Sequence, residues 1–217
     1  MATKNANDGL SMLGVIENAT NDVTDMLHRM RELAIQATND TNSDEDRAFL
    51  QLEVAQLKLE IDRVATDTQY NGQEVLAGGF TSKSIQVGTE ANQTITFSVN
   101  GIKANAIGSV DDSAYVSGID ISNATDAQAG LQVITDAIEQ VAGDRATYGA
   151  LQNRLEYTVS NLMNVAEFTT AARSRIEDAD FAAESARLAK AQVLQQTGTA
   201  MLAQANASSQ LALSLIR

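Results

Sequence analysis

Mainly apolar residues near the start of the chain follow an unbroken spacing of three and four residues. The positions are Leu13, Ile16, Thr20, Val23, Leu27, Met30, Ala34 and Ala37. This alternation keeps every member on one side of an α-helix, so it predicts a helix over residues 1 to about 38 with a seam of the coiled-coil type. The chain contains no proline, so no residue of that type interrupts such a helix.

A second helix is predicted after the polar stretch NDTNSDED. Ser43 and Asp46 have the spacing of an N-terminal capping box. Apolar residues then recur at helical spacing at Leu50, Val54, Leu57, Ile61 and Val64. The Asn71-Gly72 pair that follows predicts a tight turn.

From about residue 73 to 122 the period of the pattern changes from helical to two. The stretches SIQV and TITFSV alternate apolar and polar residues and are separated by GTEANQ. This arrangement predicts a β-hairpin. We therefore expect a small β-rich insert in the middle of the chain, without a large second domain.

A third helix is predicted from about residue 126, with Thr125 or Asp126 as its cap. Its apolar positions are Leu131, Ile134, Ile138, Val141, Tyr148, Leu151, Leu155, Leu162, Val165, Ala172 and Ile176. A helix of this extent has about 50 residues and a length of about 75 Å. A break is predicted around residues 177–180, before the final helical stretch.

The predicted fold is mainly α: an elongated antiparallel helical bundle or coiled coil of long helices with a small insert rich in β-hairpins. Hydrophobic residues make up 44% of the chain but aromatic residues only 4%, so small aliphatic side chains must form close helix–helix contacts. The predicted segments are a helical part at 1–76, a variable β-rich segment at 77–125, a long helix at 126–178 and a C-terminal helix at 179–217.

The C-terminal stretch differs in charge from the rest of the chain. The net charge is −13, yet no Asp or Glu occurs from Ser185 to Arg217. Such a tail is buried, bound to a membrane or covered by a partner. No 18 consecutive apolar residues occur, and a membrane-surface helix needs more basic and bulky aromatic residues than this stretch offers. A single helix of small side chains does not offset its ordering entropy by itself, which favours a partner.

Composition excludes several other functions. The acidic balance argues against a nucleic-acid surface, which needs clustered Lys and Arg. His28 is the only histidine and there is no cysteine, so neither a histidine-based metal site nor a thiolate site is expected. The HExxH pattern is also absent. The sequence predicts no enzyme activity and no cofactor.

One stretch has a spacing that partly matches a calcium-binding loop. Asp40, Asn42 and Asp44 alternate as the first ligands of an EF-hand loop do. However, Glu45 stands where that loop needs glycine, and Gln51 stands where it needs glutamate. A capped turn between two helices is therefore the favoured interpretation.

Several motifs resemble bacterial flagellin when taken together. They lie within residues 5–76, which contain NANDG, RMRELA, EIDR and NG, and within residues 149–206, which contain QNRLE, SRIEDADFA and QAN, followed by the ending SLIR. These stretches occur in the order of the family and cover about two-thirds of the chain. Residues 77–148 resemble nothing strongly, and the middle is the variable part of flagellins.

One departure from the family is expected. Flagellins have a further helical stretch before the NANDG region, which pairs with the C-terminal helix. That stretch is missing here, so the chain is expected to lack the N-terminal helix of the family and to carry half of the inner domain.

The resemblance implies a secreted structural subunit of the extracellular flagellar filament that assembles by coaxial helix packing and gives motility. Residues 5–37 and 126–176 would form the outer core, and residues 181–217 would reach the inner core. Two alternatives are a hook–filament junction protein, which shares both ends of the family pattern, and a secreted signalling ligand without a filament role.

The resemblance also implies partners for the C-terminal helix. In the filament these are other subunits, and before secretion the partner is a flagellar export chaperone. An Ala/Leu stripe with few charges suits binding in a groove. The residues expected to make these contacts are Leu188, Val193, Leu194, Met201, Leu202, Leu211, Leu213, Leu215 and Ile216.

A further surface resembles the region of flagellin that the animal Toll-like receptor 5 recognises. It comprises Arg29, Leu33 and Glu53. Arg29 and Leu33 are one helical turn apart and are predicted to share a surface strip, and Glu53 belongs to the next helix. An arginine beside an apolar anchor is typical of an interface hot spot. The same residues could also serve packing within the filament.

Overall fold

A computed structural model describes residues 1–108, 114–177 and 181–214, without the side chains of residues 182 and 209–214. The chain divides into two compact units after Asn164. The long helices of the described residues are α1 (Ala2–Ala37), α2 (Asp44–Asp67), α3 (Ala124–Glu177) and α4 (Phe181–Ser214). The short elements are β1 (Gln69–Tyr70), β2 (Gln73–Glu74), β3 (Lys83–Gln86), β4 (Thr94–Phe97) and a 3-10 helix at Val116–Gly118.

Helix α1 buries the predicted seam. All eight predicted positions are buried, and Ala6, Gly9 and Met12 extend the buried face toward the N-terminus. Thr20 is the polar member of the seam, and its hydroxyl donates to the carbonyl of Ile16 at 2.9 Å. Because this bond lies within the helix, the seam needs no polar partner from elsewhere.

The turn between α1 and α2 is built by capping. The Asp46 N–H donates to the Ser43 hydroxyl at 3.1 Å, and the Asp46 carboxylate accepts from the Ser43 backbone N–H at 3.0 Å. This is the predicted capping box. The hydrogen bonds from Ser43 lower the pKa of Asp46, so the box favours the charged carboxylate beside the positive end of the α2 dipole.

A buried arginine closes the same turn. The Arg47 guanidinium donates from Nε to the Ala37 carbonyl at 2.8 Å, from Nη2 to the Asn39 carbonyl at 3.2 Å and from Nη1 to Asp44 Oδ1 at 3.0 Å. Its side chain is only 8% exposed. The carbonyl of Ala37, the last residue of α1, thus finds its donor in the first turn of α2, and the Asn39 carbonyl of the turn gains a further donor there.

Helices α2 and α3 both run antiparallel to α1. In α2, Glu53 contacts Arg29, which lies earlier in α1 than the Ala37 that Arg47 reaches. In α3, Arg145 binds Glu17, whereas Leu155 lies beside Gly9. The predicted mainly α fold with antiparallel helices is therefore confirmed.

Two antiparallel hairpins follow α2. The turn between β1 and β2 has Asn71 at φ 50° and Gly72 at φ 76°, as a two-residue type I′ hairpin requires. Strand β3 pairs with β4 in the register Ile85↔Ile95. Both the tight turn and the second hairpin are where the sequence pattern placed them.

Between Val99 and Ile121, the described residues 99–108 and 114–121 contribute to the core with little regular structure. The buried residues among them are Val99, Ile102, Ala104, Ile107, Val116, Ile119 and Ile121. Because the helices pack against this segment as well as against each other, the predicted coiled-coil packing is not confirmed.

Side chains of α2 hold the backbone of this segment. Lys58 Nζ donates to the carbonyls of Ser117 and Ile119, at 3.0 and 2.7 Å, and Asp62 Oδ1 accepts from the Ala104 N–H at 2.8 Å. Irregular backbone can be buried only if its polar groups find partners, and the helix supplies them here.

The segment also makes one close backbone approach. A Cβ added at Gly101 would lie 2.9 Å from the Gly78 Cα, whereas nothing lies within 4 Å of one added at Gly79. Gly101→Ala is expected to reduce the free energy of unfolding by about 1–3 kcal/mol, since two backbones must separate. Urea unfolding measures the effect. Gly79→Ala is the control, and an equal loss in both variants would contradict the steric explanation.

The start of α3 differs from the prediction. Asn123 Oδ1 accepts from the Asp126 N–H at 2.8 Å, so Asn123 is the cap instead of Thr125 or Asp126. The cap side chain binds an amide inside the first turn and must therefore precede that turn. The length of the predicted helix is confirmed, since α3 has 54 residues. The break predicted around residues 177–180 follows the last residue of α3, but residues 178–180 lie outside the described residues.

Candidate interaction surfaces

Helix α4 is exposed along its described length. Every described side chain from Phe181 to Ser208 is exposed. Five of the predicted contact residues lie here, and each is 57–70% exposed: Leu188, Val193, Leu194, Met201 and Leu202. Leu211 and Leu213 belong to α4 but their side chains are not described, and Leu215 and Ile216 lie outside the described residues.

The apolar residues of α4 surround the helix. With about 100° per residue around the helix axis, Val193 points roughly 140° and Leu194 roughly 240° away from the direction of Leu188. The predicted single Ala/Leu stripe is therefore wrong. An apolar surface on all sides of a helix is typical of one that is buried on all sides. It suits a helix enclosed by several neighbours better than one lying on a single groove.

The charge of α4 fits the same interpretation. Its described charged side chains are Glu184, Arg187 and Lys190, all in its first turns, and Arg187 lies 3.5 Å from Glu184. The polar residues beyond them are Gln, Asn, Ser and Thr. Uncharged polar groups cost less free energy to bury than ions do, so this helix can be enclosed without leaving unpaired charges.

The end of α3 also exposes large apolar side chains. Phe168 is 73% and Ile176 is 84% exposed. Ile176 was predicted only as an apolar position of the helix, and Phe168 was missed altogether. A possible signal was the presence of a large aromatic residue in a chain with only five phenylalanines.

Arg29 and Glu53 form an exposed pair between α1 and α2. Arg29 Nε lies 2.7 Å from Glu53 Oε1, and Arg29 Nη1 lies 3.0 Å from Glu32 Oε2. The hydrogen bond to Glu53 and then that to Glu32 hold the pKa of Arg29 above its usual value. Arg29 and Glu53 are each about half exposed and so remain accessible to another molecule.

Leu33 does not belong to this surface. Its side chain is 1% exposed and packs in the core, so the prediction that Leu33 shares a surface strip with Arg29 is wrong. The helical seam explains the error, because Leu33 precedes the buried Ala34 and widens the buried face of α1.

Helix α2 instead supplies exposed apolar side chains near Glu53. Phe49, Leu52 and Leu59 are each more than 60% exposed. With about 100° per residue these three lie within roughly 80° of one another around α2, and Phe49, one turn before Glu53, lies nearest to it. These residues were not predicted, because the sequence pattern indicates one apolar face on α2, whereas the helix has two, of which one is buried.

The remaining predictions concern absent features. The described residues contain no group of three or more His, Asp or Glu side chains arranged to hold a metal ion. The stretch with partial calcium-loop spacing forms the capped turn described above. None of the described helices is long and apolar enough to cross a membrane.

Known sequences resemble the chain at both ends. The family region described as the bacterial flagellin N-terminal helical region matches residues 1–81, and the bacterial flagellin C-terminal helical region matches residues 131–216. Because the N-terminal match begins at residue 1, the predicted lack of the N-terminal helix is not confirmed.

Individual proteins are similar over the whole chain. A flagellin of Halalkalibacterium halodurans is 38% identical over 216 residues, which cover 100% of this chain and 78% of the relative. The flagellar filament 33 kDa core protein of Treponema phagedenis is 39% identical over 226 residues, with 100% and 79% covered.

Solved structures share the fold. The crystal structure of Bacillus cereus flagellin has a TM-score of 0.63 at 28% identity and covers 78% of this chain and 94% of that one. A putative flagellar hook-associated protein from Vibrio parahaemolyticus has a TM-score of 0.64 at 15% identity, with 79% and 88% covered. At this identity the second likeness concerns the fold alone.

Proposed function

The chain belongs to the bacterial flagellin family and is a structural subunit of the flagellar filament, and on this premise we propose that α4 is the element through which its copies are held together. Flagellins are structural proteins that form homopolymers, so the chain is not an enzyme. The observation that carries the proposal is the apolar surface on all sides of α4, which is exposed in the single chain.

The physical reason is the area that assembly would cover. Enclosing the exposed Leu, Val and Met side chains of α4 removes apolar surface from water, at about 25 cal/mol per Å2. In the filament, residues 181–217 form the inner core and residues 5–37 and 126–176 the outer core, with helices packed coaxially. Seeded growth followed by light scattering tests the proposal, because monomers altered only on α4 should fail to elongate seeds.

Before assembly the same helix needs another partner. We propose that a flagellar export chaperone covers α4 until the chain is secreted. An exposed apolar helix without acids beyond Glu184 supports this proposal, because it invites aggregation when unprotected. Competition between the chaperone and filament seeds for the same monomer provides the test.

The pair of Arg29 and Glu53 supports a second proposed role, recognition of the free monomer by Toll-like receptor 5. Arg29 presents a planar fork of donors, and Glu53 fixes its orientation at 2.7 Å. The exposed Phe49, one helical turn before Glu53, offers an apolar contact in place of the buried Leu33. A charged fork next to an apolar side chain is typical of residues that dominate binding energy.

Arg29→Ala is expected to lower potency in a Toll-like receptor 5 reporter assay by at least about tenfold. Its fold should be unaffected, because the ion pairs that it loses are exposed. The control is Arg31→Ala, which removes the same charge from an exposed residue of α1 on the opposite side of the helix. Equal potencies of the two variants and the unmodified chain would dispose of the receptor proposal.

A further inference from the structure

Met201 is the one sulfur-containing residue of α4, and its side chain is 70% exposed. The chain has no cysteine, so methionine thioethers are the side-chain groups that a mild peroxide oxidises first. At an isolated surface position such a reaction changes little. On α4 it alters the apolar surface that other copies would cover, so the position of Met201 gives the reaction a consequence.

The methionines of the chain differ in their access to water. Met12 is 7% exposed, Met30 is fully buried in the core, and Met26 is partly buried against it. The exposed methionines are Met1, Met163 and Met201. Because an oxidant dissolved in water reaches exposed sulfur first, mild treatment is expected to oxidise these three and to leave the core methionines reduced. The monomer therefore keeps its fold while α4 changes chemically.

The surroundings of Met201 on its own helix are uncharged. The nearest charged residue of α4 is Lys190, about three turns earlier. Leu194 lies seven residues before Met201 and points within about 20° of the same direction. Thr197, one turn before Met201, donates its hydroxyl to the Val193 carbonyl at 2.9 Å. This hydroxyl is therefore already used within the helix and is not available to a polar group added at Met201.

Oxidation makes the side chain polar without adding charge. The thioether sulfur attacks one oxygen of hydrogen peroxide, so the S–O bond forms as the O–O bond breaks. The proton of the attacked oxygen passes to the departing oxygen, which leaves as water. The sulfur loses two electrons and the peroxide gains them. The product is a sulfoxide, whose oxygen is a strong hydrogen-bond acceptor, whereas the thioether sulfur is a weak one.

We propose that Met201 is an oxidation site that controls assembly, in which its sulfoxide prevents other copies from enclosing α4. The inference rests on the enclosure of α4 that is proposed above. In the free monomer the sulfoxide oxygen stays in water, but between copies it would be buried among apolar side chains and lose its hydrogen bonds to water. A methionine sulfoxide reductase returns the sulfur to the thioether, so this block of assembly is reversible.

Seeded growth of peroxide-treated full chains tests the proposal. Trypsin cleavage after Arg154 and after Lys190 places Met163 and Met201 on separate peptides, so mass spectrometry measures the oxidation of each. Full oxidation of Met201 is expected to raise the critical concentration for growth by at least about tenfold, as expected for one buried acceptor without a partner. The midpoint of thermal unfolding of the monomer should not change. Treatment with methionine sulfoxide reductase should restore growth.

Two variants assign the effect to one sulfur. Met201→Leu keeps an apolar side chain of similar volume, so it is expected to elongate seeds normally and to continue doing so after peroxide treatment. Met163→Leu removes the exposed sulfur of α3 instead and should lose growth on treatment as the unmodified chain does. Normal growth of unmodified chains oxidised at Met201 would overturn the proposal. Equal loss of growth in treated Met201→Leu would do the same.

Oxidation of intact filaments separates this proposal from the enclosure on which it rests. Met201 in filaments is expected to be oxidised at least about tenfold more slowly than in monomers, because enclosure keeps peroxide away from the sulfur. Equal rates would show that α4 is not enclosed at Met201, and both proposals would fail. Protection in filaments together with normal growth of oxidised monomers would leave the enclosure standing and overturn the oxidation site alone.

Discussion

Leu194→Asp is expected to abolish elongation of filament seeds while leaving the isolated monomer as stable as before. Leu194 is 61% exposed in the single chain, so the new carboxylate stays in water until a neighbour covers it. Assembly would then bury an unpaired charge, which costs at least about 3 kcal/mol. The critical concentration should rise by at least about 100-fold. Light scattering measures growth, and thermal unfolding measures the monomer.

The matched variant is Leu194→Met, which keeps an apolar side chain of similar volume. It should elongate seeds at nearly the normal rate. If Leu194→Asp grew as fast as Leu194→Met, α4 would not be enclosed at this position and the assembly proposal would fail. If Leu194→Asp instead destabilised the monomer, Leu194 would contact its own chain, contrary to its exposure.

The helices were the most predictable part of the fold because their evidence is local. The seam of α1 repeats every three or four residues, and all eight predicted positions are buried. The capping box depends on Ser43 and Asp46 alone, and the Asn71-Gly72 turn on two neighbours. Patterns that lie within one helical turn or one hairpin need no knowledge of distant residues.

The segment from Val99 to Ile121 was not predictable in the same way. Its described buried residues follow neither a helical nor a strand period, because side chains on α2 and α3 hold its described backbone. Lys58 and Asp62 bind its backbone from α2, and both appear in the sequence as ordinary surface charges. Contacts between residues more than forty positions apart leave no local pattern in a single sequence.

For a related reason, the sequence predicted only part of the candidate surfaces. The sequence identified the unusual charge of the C-terminal stretch, but it could not tell one apolar stripe from an apolar surface on all sides. On α1 it placed Leu33 at the surface, because one turn from Arg29 is a local relation whereas burial depends on the packed neighbours. Phe49, Leu52 and Leu59 were missed because a second apolar face has the same period as the first.

Arg47→Met is expected to lower the free energy of unfolding by about 2–4 kcal/mol. Methionine has a similar length but no donor, so the carbonyls of Ala37 and Asn39 lose the hydrogen bonds that Arg47 gives them at 2.8 and 3.2 Å. Removing a buried charge recovers some desolvation free energy, but it leaves the buried Ala37 carbonyl without its donor. The midpoint of urea unfolding, followed by circular dichroism, should fall by about 1–2 M.

The control is Arg63→Met on the same helix. Arg63 also has carboxylate partners, Glu60 at 2.6 Å and Asp67 at 3.3 Å, but its side chain is 57% exposed and it binds no helix end. If ion pairs with carboxylates were what mattered, Arg63→Met would be the more damaging change, because it loses two and Arg47→Met loses one. We expect the reverse, because water replaces the donors that exposed carboxylates lose, whereas the carbonyl that Arg47 binds at Ala37 belongs to a fully buried residue.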